Sequence, residues 1–370
     1  MTEIESKKNY YFFIGTVAEL IKLFPVMQEM ERRAIQYKII ASGQNDIKNS
    51  GIFESIQKTD IDIKVGSGKI RKSVSGLFFW FIKTFVKSFR VIRNSVDKTE
   101  NNYLIIHGDT VSTMMGAILG KILKFKVFHI EAGLRSFNFL EPFPEEIDRV
   151  VTSRLADFHF CPNAWAMGNL KKRKGEKINT FNNTLIDSLG YALNQNVDSK
   201  LMTTLGGNKY CLFVCHRQEN VSNRELLELL VDKIDETAKS IQCIFILHEI
   251  TRIALEEFGL MTKLEHNKNI LLVARVPYFE LMHILKGAEF MVTDGGSNQE
   301  ECYYLGVPTL VLRKRTERNE GLGKNVILSK NDFKVVSDFI KNYRKFKTDP
   351  VEIAGSPSRI IIDYLENYGK

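Results

Sequence analysis

The sequence has little that would place the chain outside a reducing compartment or inside a membrane. It contains 370 residues and five cysteines, and none of the cysteines has the C-x-x-C spacing of a zinc or redox motif. No run approaches the ~18 consecutive apolar residues that a membrane-spanning helix needs. The first residues also lack the apolar core of a signal peptide. We therefore predict buried free thiols, a cytoplasmic protein and no integral membrane segment.

Clustered positive charge and metal-binding motifs are also missing. The net charge is +8, but the lysines and arginines are scattered and form no basic tail, so no nucleic-acid partner is expected. The seven histidines are dispersed, with no H-x-H pattern and no cluster of histidines, so no metal is expected. The absence of a Walker A loop and of a G-x-G-x-x-G fingerprint argues against the common phosphate-loop and dinucleotide enzymes. No cofactor is therefore expected.

Short apolar runs rich in β-forming residues alternate with helical patterns along the chain. Strands are predicted at 10–16, 37–43, 61–65, 103–109, 126–132, 158–162, 177–181, 209–215, 243–249, 269–274, 290–294 and 307–313. Helices are predicted at 17–33, 76–95, 110–124, 145–156, 222–240, 277–287, 297–305 and 331–345. Continuous apolar strands between helices are typical of parallel sheets buried on both faces. The predicted fold class is α/β, with two Rossmann-like, doubly wound domains.

The polar segment 185–207 is the predicted linker between these domains. One apolar segment, LFFWFIKTFVKSF, carries Lys83 and Lys87, and Arg90 follows it directly, all at helical spacing. This pattern predicts an amphipathic helix packed on a core. A face on a membrane surface, or an apolar wall beside the site, are the alternatives.

Polar residues follow several predicted strands, where open α/β sheets bind their ligands. Gly15 and Thr16 follow the first strand, and small residues there would let an anion approach free backbone N–H groups. Lys22 lies on the next helix. Asp109 follows the fourth strand and is either the N-cap of a helix or an acid/base group.

The fifth strand runs directly into Glu131 within the segment HIEAGLRSFNFLEPFPEEIDRVV. Partial burial at a strand end would raise the pKa of this carboxyl and suit it to proton transfer near neutral pH. An ion pair with Arg135 is the alternative. Glu131 is therefore the first candidate for moving a proton.

The same segment starts a helix after a Pro-Phe-Pro turn, and Glu145 and Glu146 stand in its first turn, where the helix dipole favours negative charge. Glu146 is predicted to pair with Arg149 on the surface, because the two are three residues apart. Glu145 is then available for the site, and Glu141 is predicted to be a loop acid.

In the second half, the strand KYCLFVC ends in His216 and Arg217, and Asn220 follows. A histidine and an arginine at a strand end suit a phosphate or diphosphate. A histidine satisfied inside the core is the alternative. These residues indicate where an anionic ligand would bind.

The segment TDGGSNQEECYYLGVP is the most specific local pattern. Backbone N–H groups of Gly295, Gly296 and Ser297 would hold a phosphate at a helix N-terminus. Ser297 and Glu300 are predicted to form a capping box, and Glu300 or Glu301 can reach a ribose diol. A well-capped helix without a ligand is the alternative.

Taken in order, these motifs resemble the UDP-N-acetylglucosamine 2-epimerase family of the non-hydrolysing type. The matching segments are GTVAELIK, HGDT, HIEAGLRS, PFPEEIDR, NNTLID, HRQEN, DGGSNQEE, LGVP and RTER. The resemblance implies a glycosyltransferase-B type fold with a cleft between domains at 1–186 and 187–356, and a C-terminal helix at 357–370 that joins the first domain. It also implies a UDP-sugar substrate and a homodimer.

The implied reaction removes the proton at sugar C2, expels UDP to leave a 2-acetamidoglucal and re-adds UDP, in the supply of surface polysaccharide precursors. By motif position, Asp109, Glu131 and Glu145 match the catalytic carboxylates, and His216 matches the histidine on the diphosphate side. The substrate-binding candidates, from the residues and the resemblance together, are Gly15, Thr16, Lys22, Arg135, Arg217, Asn220, Gly295, Gly296, Ser297, Glu301 and Arg318.

The chain departs from the family pattern at four turns. GTVAE replaces GTRPE, which removes an arginine expected near the nucleotide, and DGG replaces DSGG. His248-Glu249 replaces HP, and Gln44-Asn45-Asp46 changes a segment that helps to form an activator site in bacterial members. A related 2-acetamido sugar, a hydrolysing enzyme, a glycosyltransferase and a non-catalytic sugar-nucleotide sensor are the alternatives.

Overall fold

The computed structural model describes residues 8–66, 74–96, 101–139, 143–352 and 355–368. The chain divides into two compact units, Met1–Ser188 with Gly355–Lys370 and Leu189–Ala354. The predicted loop acid Glu141 lies outside the described residues. Each unit has its own parallel sheet.

The described elements alternate between strands and helices. The strands are β1 Lys8–Ile14, β2 Tyr37–Ala41, β3 Ile63–Lys64, β4 Asn101–His107, β5 Lys126–Ile130, β6 Phe158–Cys161, β7 Glu176–Asn179, β8 Tyr210–Val214, β9 Gln242–Leu247, β10 Ile270–Ala274, β11 Met291–Thr293, β12 Thr309–Val311 and β13 Val326–Leu328. The helices are α1 Val17–Arg32, α2 Val74–Ser95, α3 Val111–Ile122, α4 Glu145–Leu155, α5 Ala164–Asn169, α6 Leu185–Leu193, α7 Lys200–Leu205, α8 Gln218–Val221, α9 Arg224–Thr237, α10 Glu249–Glu257, α11 Met261–Glu265, α12 Tyr278–Gly287, α13 Gly296–Leu305, α14 Phe333–Asn342 and α15 Pro357–Asn367.

The first unit is built on a seven-stranded parallel sheet with the order β3-β2-β1-β4-β5-β6-β7. Its central strands are apolar along their whole length, and Phe12, Ile105 and Phe128 are fully buried. The strand order reverses between β1 and β4, which pair from Lys8↔Asn101 to Phe12↔Ile105. Chain crossovers leave these two strands in opposite directions, and a ligand site is expected beyond their carboxyl ends.

The second unit repeats this arrangement with a six-stranded parallel sheet in the order β10-β9-β8-β11-β12-β13. Its core includes Phe213, Phe245, Phe290 and Phe339. The order reverses between β8 and β11. The predicted α/β class with two doubly wound sheets is confirmed. Strand β13 was not predicted.

The predicted linker at 185–207 contains the boundary between the two units, but the segment is not an extended connection, because it forms helices α6 and α7. Leu185, Ile186, Leu189 and Ala192 are buried along one face of α6, as the helical period requires. The boundary between the two units falls after Ser188, inside this helix.

Helix α15 packs on α1 within the first unit. Its N-cap is Ser356, whose hydroxyl accepts the N–H of Arg359. Arg33, at the end of α1, reaches Asp363 at 2.6 Å and Glu366 at 2.5 Å. The end of the chain thereby stabilises the unit in which the chain begins.

Helix α2 has the predicted amphipathic character. Phe81, Phe85 and Phe89 pack against the core of the first unit, whereas Phe79 and Ile82 are exposed. The prediction of a helix packed on a core is confirmed. Across the described ranges, no helix is long and apolar enough to cross a membrane.

Candidate active site

The carboxyl ends of β1, β4 and β5 bring three predicted site segments to one edge of the first sheet. Strands β4 and β5 are neighbours, with His107 paired to Ile130. Asp109 and Glu131 therefore leave the sheet side by side, and the Gly15 turn leaves β1 next to them. This edge is the candidate site of the first unit.

The backbone of Glu131 has a left-handed conformation that the surrounding sequence does not predict. Its φ is +63°, a left-handed backbone that is uncommon for residues other than glycine and that clusters at functional sites. The carboxylate is 6% exposed. It accepts hydrogen bonds from Lys22 Nζ at 2.7 Å and from the amide of Asn183. Lys22, rather than Arg135, is therefore its ion-pair partner.

A chain of ion pairs connects Asp109 to the first turn of α4. The guanidinium of Arg149 donates to Asp109 and, at 3.3 Å, to Glu146. Arg135 donates to Glu146 from the other side at 2.5 Å. The predicted Glu146–Arg149 pair is present, but its predicted surface position is wrong because Glu146 is fully buried.

The charge of Glu146 is stabilised inside the protein. Burial alone would raise its pKa, but the N–H of Ser136 and the guanidinium of Arg135 lower it. Arg135, predicted to bind substrate, has its guanidinium over the ring of Phe137, with a centroid distance of 4.9 Å. These contacts fix the Arg135 head group beside α4.

The N-cap alternative for Asp109 is wrong. Helix α3 is capped by Thr110, whose hydroxyl accepts the N–H of Thr113 at 3.1 Å. The side chain of Asp109 remains 25% exposed. Glu145 is the first residue of α4 and is half-buried. Both predicted acids are thus partly exposed.

The first turn differs from the prediction. The N–H groups of Gly15 and Thr16 donate to the carboxylate of Glu19, at 2.6 and 3.4 Å, so the expectation that these N–H groups are free for an anion is wrong. Glu19 and Thr16 form a capping box. Burial raises the pKa of Glu19 to about 7, and Thr110 also donates to it. The Glu19 carboxyl group therefore occupies the place at these N–H groups where an anionic ligand was expected.

The glycine at this turn is required by close packing. A Cβ at Gly15 would lie 2.2 Å from the Ser112 hydroxyl, so Gly15→Ala is expected to destabilise the first unit by about 1–3 kcal/mol. Urea unfolding followed by tryptophan fluorescence will measure this, because Trp80 and Trp165 both lie in that unit. Gly168→Ala is the control, since nothing lies within 4 Å of its Cβ position. Equal stability of the two variants would contradict this packing argument.

In the second unit, a separate candidate site lies at the carboxyl ends of β8 and β11. Asp294 is fully buried there and accepts the N–H groups of His216 at 3.0 Å and Arg217 at 2.9 Å. Burial opposes its ionisation, but the contact with His216 and the hydrogen bonds hold its pKa well below the ordinary value. Sequence reasoning identified Asp294 only as a strand end.

The side chain of His216 is positioned from two sides. Its Nδ1 lies 3.1 Å from Asp294 Oδ1, and its side chain is 33% exposed. The ring stacks on His248 with centroids 4.5 Å apart. Burial and the neighbouring His216 lower the pKa of His248 to about 4. The partly exposed His216 is not the fully buried core histidine considered as an alternative.

Arg217 and Asn220 also bind within this turn. Arg217 Nε donates to the carbonyl of Asp294 at 3.0 Å. The amide of Asn220 donates to Asp294 at 2.9 Å and to the carbonyl of Leu312 at 3.1 Å. Asn220 is 2% exposed. Its amide hydrogens therefore hold the turn together.

The glycine turn before α13 brings backbone close to charged side chains. A Cβ at Gly296 would lie 2.8 Å from Arg318 Nε, and a Cβ at Gly295 would lie 2.6 Å from Asn298 Oδ1. The N-cap is Gly295, with no side-chain cap hydrogen bond. The predicted Ser297–Glu300 capping box is therefore wrong. The first N–H groups of a helix have no intrahelical partner, which suits an anion.

The acids and arginine of this region are buried. Arg318 donates to Glu300, and their side chains are 6% and 0% exposed. Glu301 is 2% exposed and accepts the amide of Asn298 at 2.9 Å. In the described parts of the chain, no group of three or more His, Cys, Asp or Glu side chains could hold a metal ion.

Comparison with known proteins identifies the family to which the chain belongs. The family model described as UDP-N-acetylglucosamine 2-epimerase matches residues 28–355. The UDP-N-acetylglucosamine 2-epimerase of Methanococcus maripaludis is 33% identical over 325 residues, covering 84% of this chain and 85% of that protein. The enzyme of the same name from Methanocaldococcus jannaschii is 31% identical over 374 residues, covering 96% of this chain and 98% of that protein.

The three-dimensional structure agrees with the sequence matches. The crystal structure of Methanocaldococcus jannaschii UDP-GlcNAc 2-epimerase in complex with UDP-GlcNAc and UDP has a TM-score of 0.79 to this chain and is 28% identical to it. The match covers 98% of this chain and 100% of that one. The predicted resemblance is confirmed, and this enzyme belongs to the UDP-N-acetylglucosamine 2-epimerase family.

Proposed function

We propose that the enzyme inverts C2 of a UDP-2-acetamido sugar, converting UDP-GlcNAc to UDP-ManNAc or acting on a related sugar. The carrying observation is Glu131, a buried strand-end carboxylate in a left-handed backbone conformation, paired to Lys22 at 2.7 Å. The neighbouring Asp109–Arg149 pair lies at the same sheet edge. Two carboxylates fixed side by side suit a reaction that takes a proton from one carbon and returns it.

The proposed reaction proceeds by elimination and re-addition. A carboxylate removes the C2 proton, the C–H electrons form the C1–C2 double bond, and the C1–oxygen bond breaks with its electrons leaving on UDP. The candidates for acid and base are Asp109, Glu131 and Glu145. Reprotonation of C2 from the opposite face and return of UDP to C1 give the epimer.

The second unit supplies the groups suited to a diphosphate. His216 and Arg217 follow β8, and their backbone N–H groups are fixed by Asp294. Gly295 and Gly296 leave the N-terminus of α13 without side chains. An imidazole, a guanidinium and a helix N-terminus together stabilise negative charge that develops on departing UDP.

Proton NMR of the enzyme with UDP-GlcNAc in D2O tests this proposal. We expect UDP-ManNAc to form and deuterium to enter at C2 of both sugars. Free N-acetylmannosamine with stoichiometric UDP would indicate a hydrolysing enzyme, and product formation only with an added acceptor would indicate a glycosyltransferase. No exchange with any UDP-2-acetamido sugar would exclude the proposed epimerase.

His216→Ala is expected to weaken UDP binding by roughly 10- to 100-fold, because a charge-assisted hydrogen bond worth on the order of 1.5–3 kcal/mol is lost. Isothermal titration calorimetry with UDP measures the change. His266→Ala is the matched control, since His266 is exposed on α11. An unchanged UDP affinity in His216→Ala would argue against a diphosphate contact.

We also infer a cytoplasmic homodimer that serves surface polysaccharide synthesis. The family resemblance supports the dimer and the biosynthetic role. All five cysteines are buried and free, which suits a reducing compartment. Light scattering of the purified enzyme tests the dimer directly.

A further inference from the structure

Asp148 is a buried carboxyl group that the proposed reaction leaves without a role. It lies in the first turn of α4 and is 1% exposed. Its Oδ2 has no hydrogen-bond partner among the residues that the structure describes. Buried polar atoms are nearly always hydrogen-bonded, so this exception calls for an explanation.

The charged groups nearest to Asp148 belong to the candidate site. Burial is the main cause that raises the pKa of Asp148, to about 8, and the negative charges of Asp109 and Glu145 add to it. Arg149 acts in the opposite direction, but its terminal nitrogens donate to Asp109 and Glu146. Arg149 therefore forms its ion pairs with Asp109 and Glu146.

Among the described residues of α3 and β5, which pack on α4, no further cation acts on this carboxyl. The titratable side chain of α3 is Lys121, in its last turn, and it pairs with Asp157 at 2.5 Å. Strand β5 begins at the exposed Lys126 and also contains His129, which is buried and has its pKa lowered by that burial. His107, at the end of β4, is also buried.

We propose that Asp148 is a positioning residue that must be a neutral acid for the enzyme to work. As an acid it retains an O–H donor and adds no third negative charge beside Asp109 and Glu145. As a carboxylate it would compete with Asp109 for Arg149 and disturb the ion-pair chain that orients Asp109. This inference rests on the proposed epimerisation, in which Asp109 is one of the acid–base candidates.

The pH profile of C2 exchange tests the proposal. In the wild type, kcat is expected to fall above about pH 8, by about tenfold for each pH unit, as one proton is lost. Asp148→Asn keeps a hydrogen-bond donor and cannot ionise. We expect this variant to be active at pH 7 and to lose the alkaline decrease.

Asp363→Asn is the matched control, because Asp363 lies on α15 and its side chain is 60% exposed. It is expected to keep the wild-type profile. An alkaline decrease that persists unchanged in Asp148→Asn would overturn the proposal. Loss of activity at every pH in a folded Asp148→Asn would overturn it as well.

Infrared spectroscopy provides a readout that needs no substrate. The carbonyl stretch of a protonated carboxylic acid is expected in the wild type at pH 7 and is expected to be weaker in Asp148→Asn by one group. An unchanged band would contradict a neutral Asp148 even if the variant were inactive. A band that weakens in Asp148→Asn, in an enzyme whose wild type shows no C2 exchange, would refute the proposed function while leaving the protonation of Asp148 established.

Discussion

Glu131→Gln is expected to lower the rate of C2 hydrogen exchange by about 10²–10⁴-fold, the usual contribution of a general acid or base, while UDP affinity stays nearly unchanged. Glutamine preserves the shape of the side chain and can accept the hydrogen bond from Asn183. It cannot take up a proton, and it ends the ion pair with Lys22. Deuterium incorporation by NMR and UDP calorimetry measure the two effects separately.

The control for this substitution is Glu289→Gln in the second unit, where the glutamate bonds Tyr343 and Lys209. It is expected to leave exchange unaffected. Breaking a buried ion pair can cost about 3–5 kcal/mol, so the folded fraction of Glu131→Gln must be measured by tryptophan fluorescence. That of Glu289→Gln must be measured by hydrogen exchange of second-unit peptides, because both tryptophans lie in the first unit. A folded Glu131→Gln enzyme with wild-type exchange would show that Glu131 only anchors Lys22.

Asp294→Asn is expected to destabilise the second unit by about 3 kcal/mol or more. The two N–H groups of His216 and Arg217, and the amide of Asn220, would lose a charged acceptor, each contact being worth on the order of 1.5–3 kcal/mol. Both tryptophans lie in the first unit, so hydrogen exchange of peptides from β8 is the appropriate measurement. UDP binding should weaken with it.

The pH dependence of this effect follows from the direction of the Asp294 shift. Its pKa in the folded chain lies below the ordinary value of 3.8. The stabilisation is therefore present above about pH 4 and is lost as the pH falls towards the folded pKa. In Asp294→Asn, the stability of the second unit should therefore fall less as the pH drops below about 4. In Asp338→Asn, whose aspartate is exposed, the fall should be the same as in the wild type. Equal exchange rates in β8 of both variants would contradict the central role of Asp294.

The fold was accessible from the sequence because its parallel strands are continuous apolar runs. The strands that lead to Gly15, Asp109, Glu131, His216 and Asp294 were predicted to within a few residues. The helices of segment 185–207 were missed because the polar run that follows α6, from Asn194 to Lys200, is typical of a linker. Strand β13 was missed because Val326–Leu328 stands alone between GLGKN and SKND, whereas β11 and β12, also three residues long, lie within longer apolar runs.

The sequence predicted which residues lie at the ends of the strands, but it did not predict which side chains contact one another there. Nothing local in the sequence shows that Lys22 reaches Glu131, 109 positions away, or that Glu19 fills the anion position at its own helix N-terminus. The burial of Asp148 had one usable signal. At helical spacing from the buried Thr152 it belongs to the inner face of α4, a face that also contains Glu146 and Arg149.

Because all five cysteines are free and buried, the rate at which they are alkylated reports how fast each unit opens. Burial raises the pKa of the Cys161 thiol to about 12 and also raises those of Cys211, Cys215 and Cys302. Alkylating reagents attack thiolates, so the folded chain should resist them until a unit opens. Cys161 belongs to the first unit and the other four to the second. In mass spectra taken over time, a gain of one adduct would therefore mark opening of the first unit, and a gain of four adducts would mark opening of the second unit.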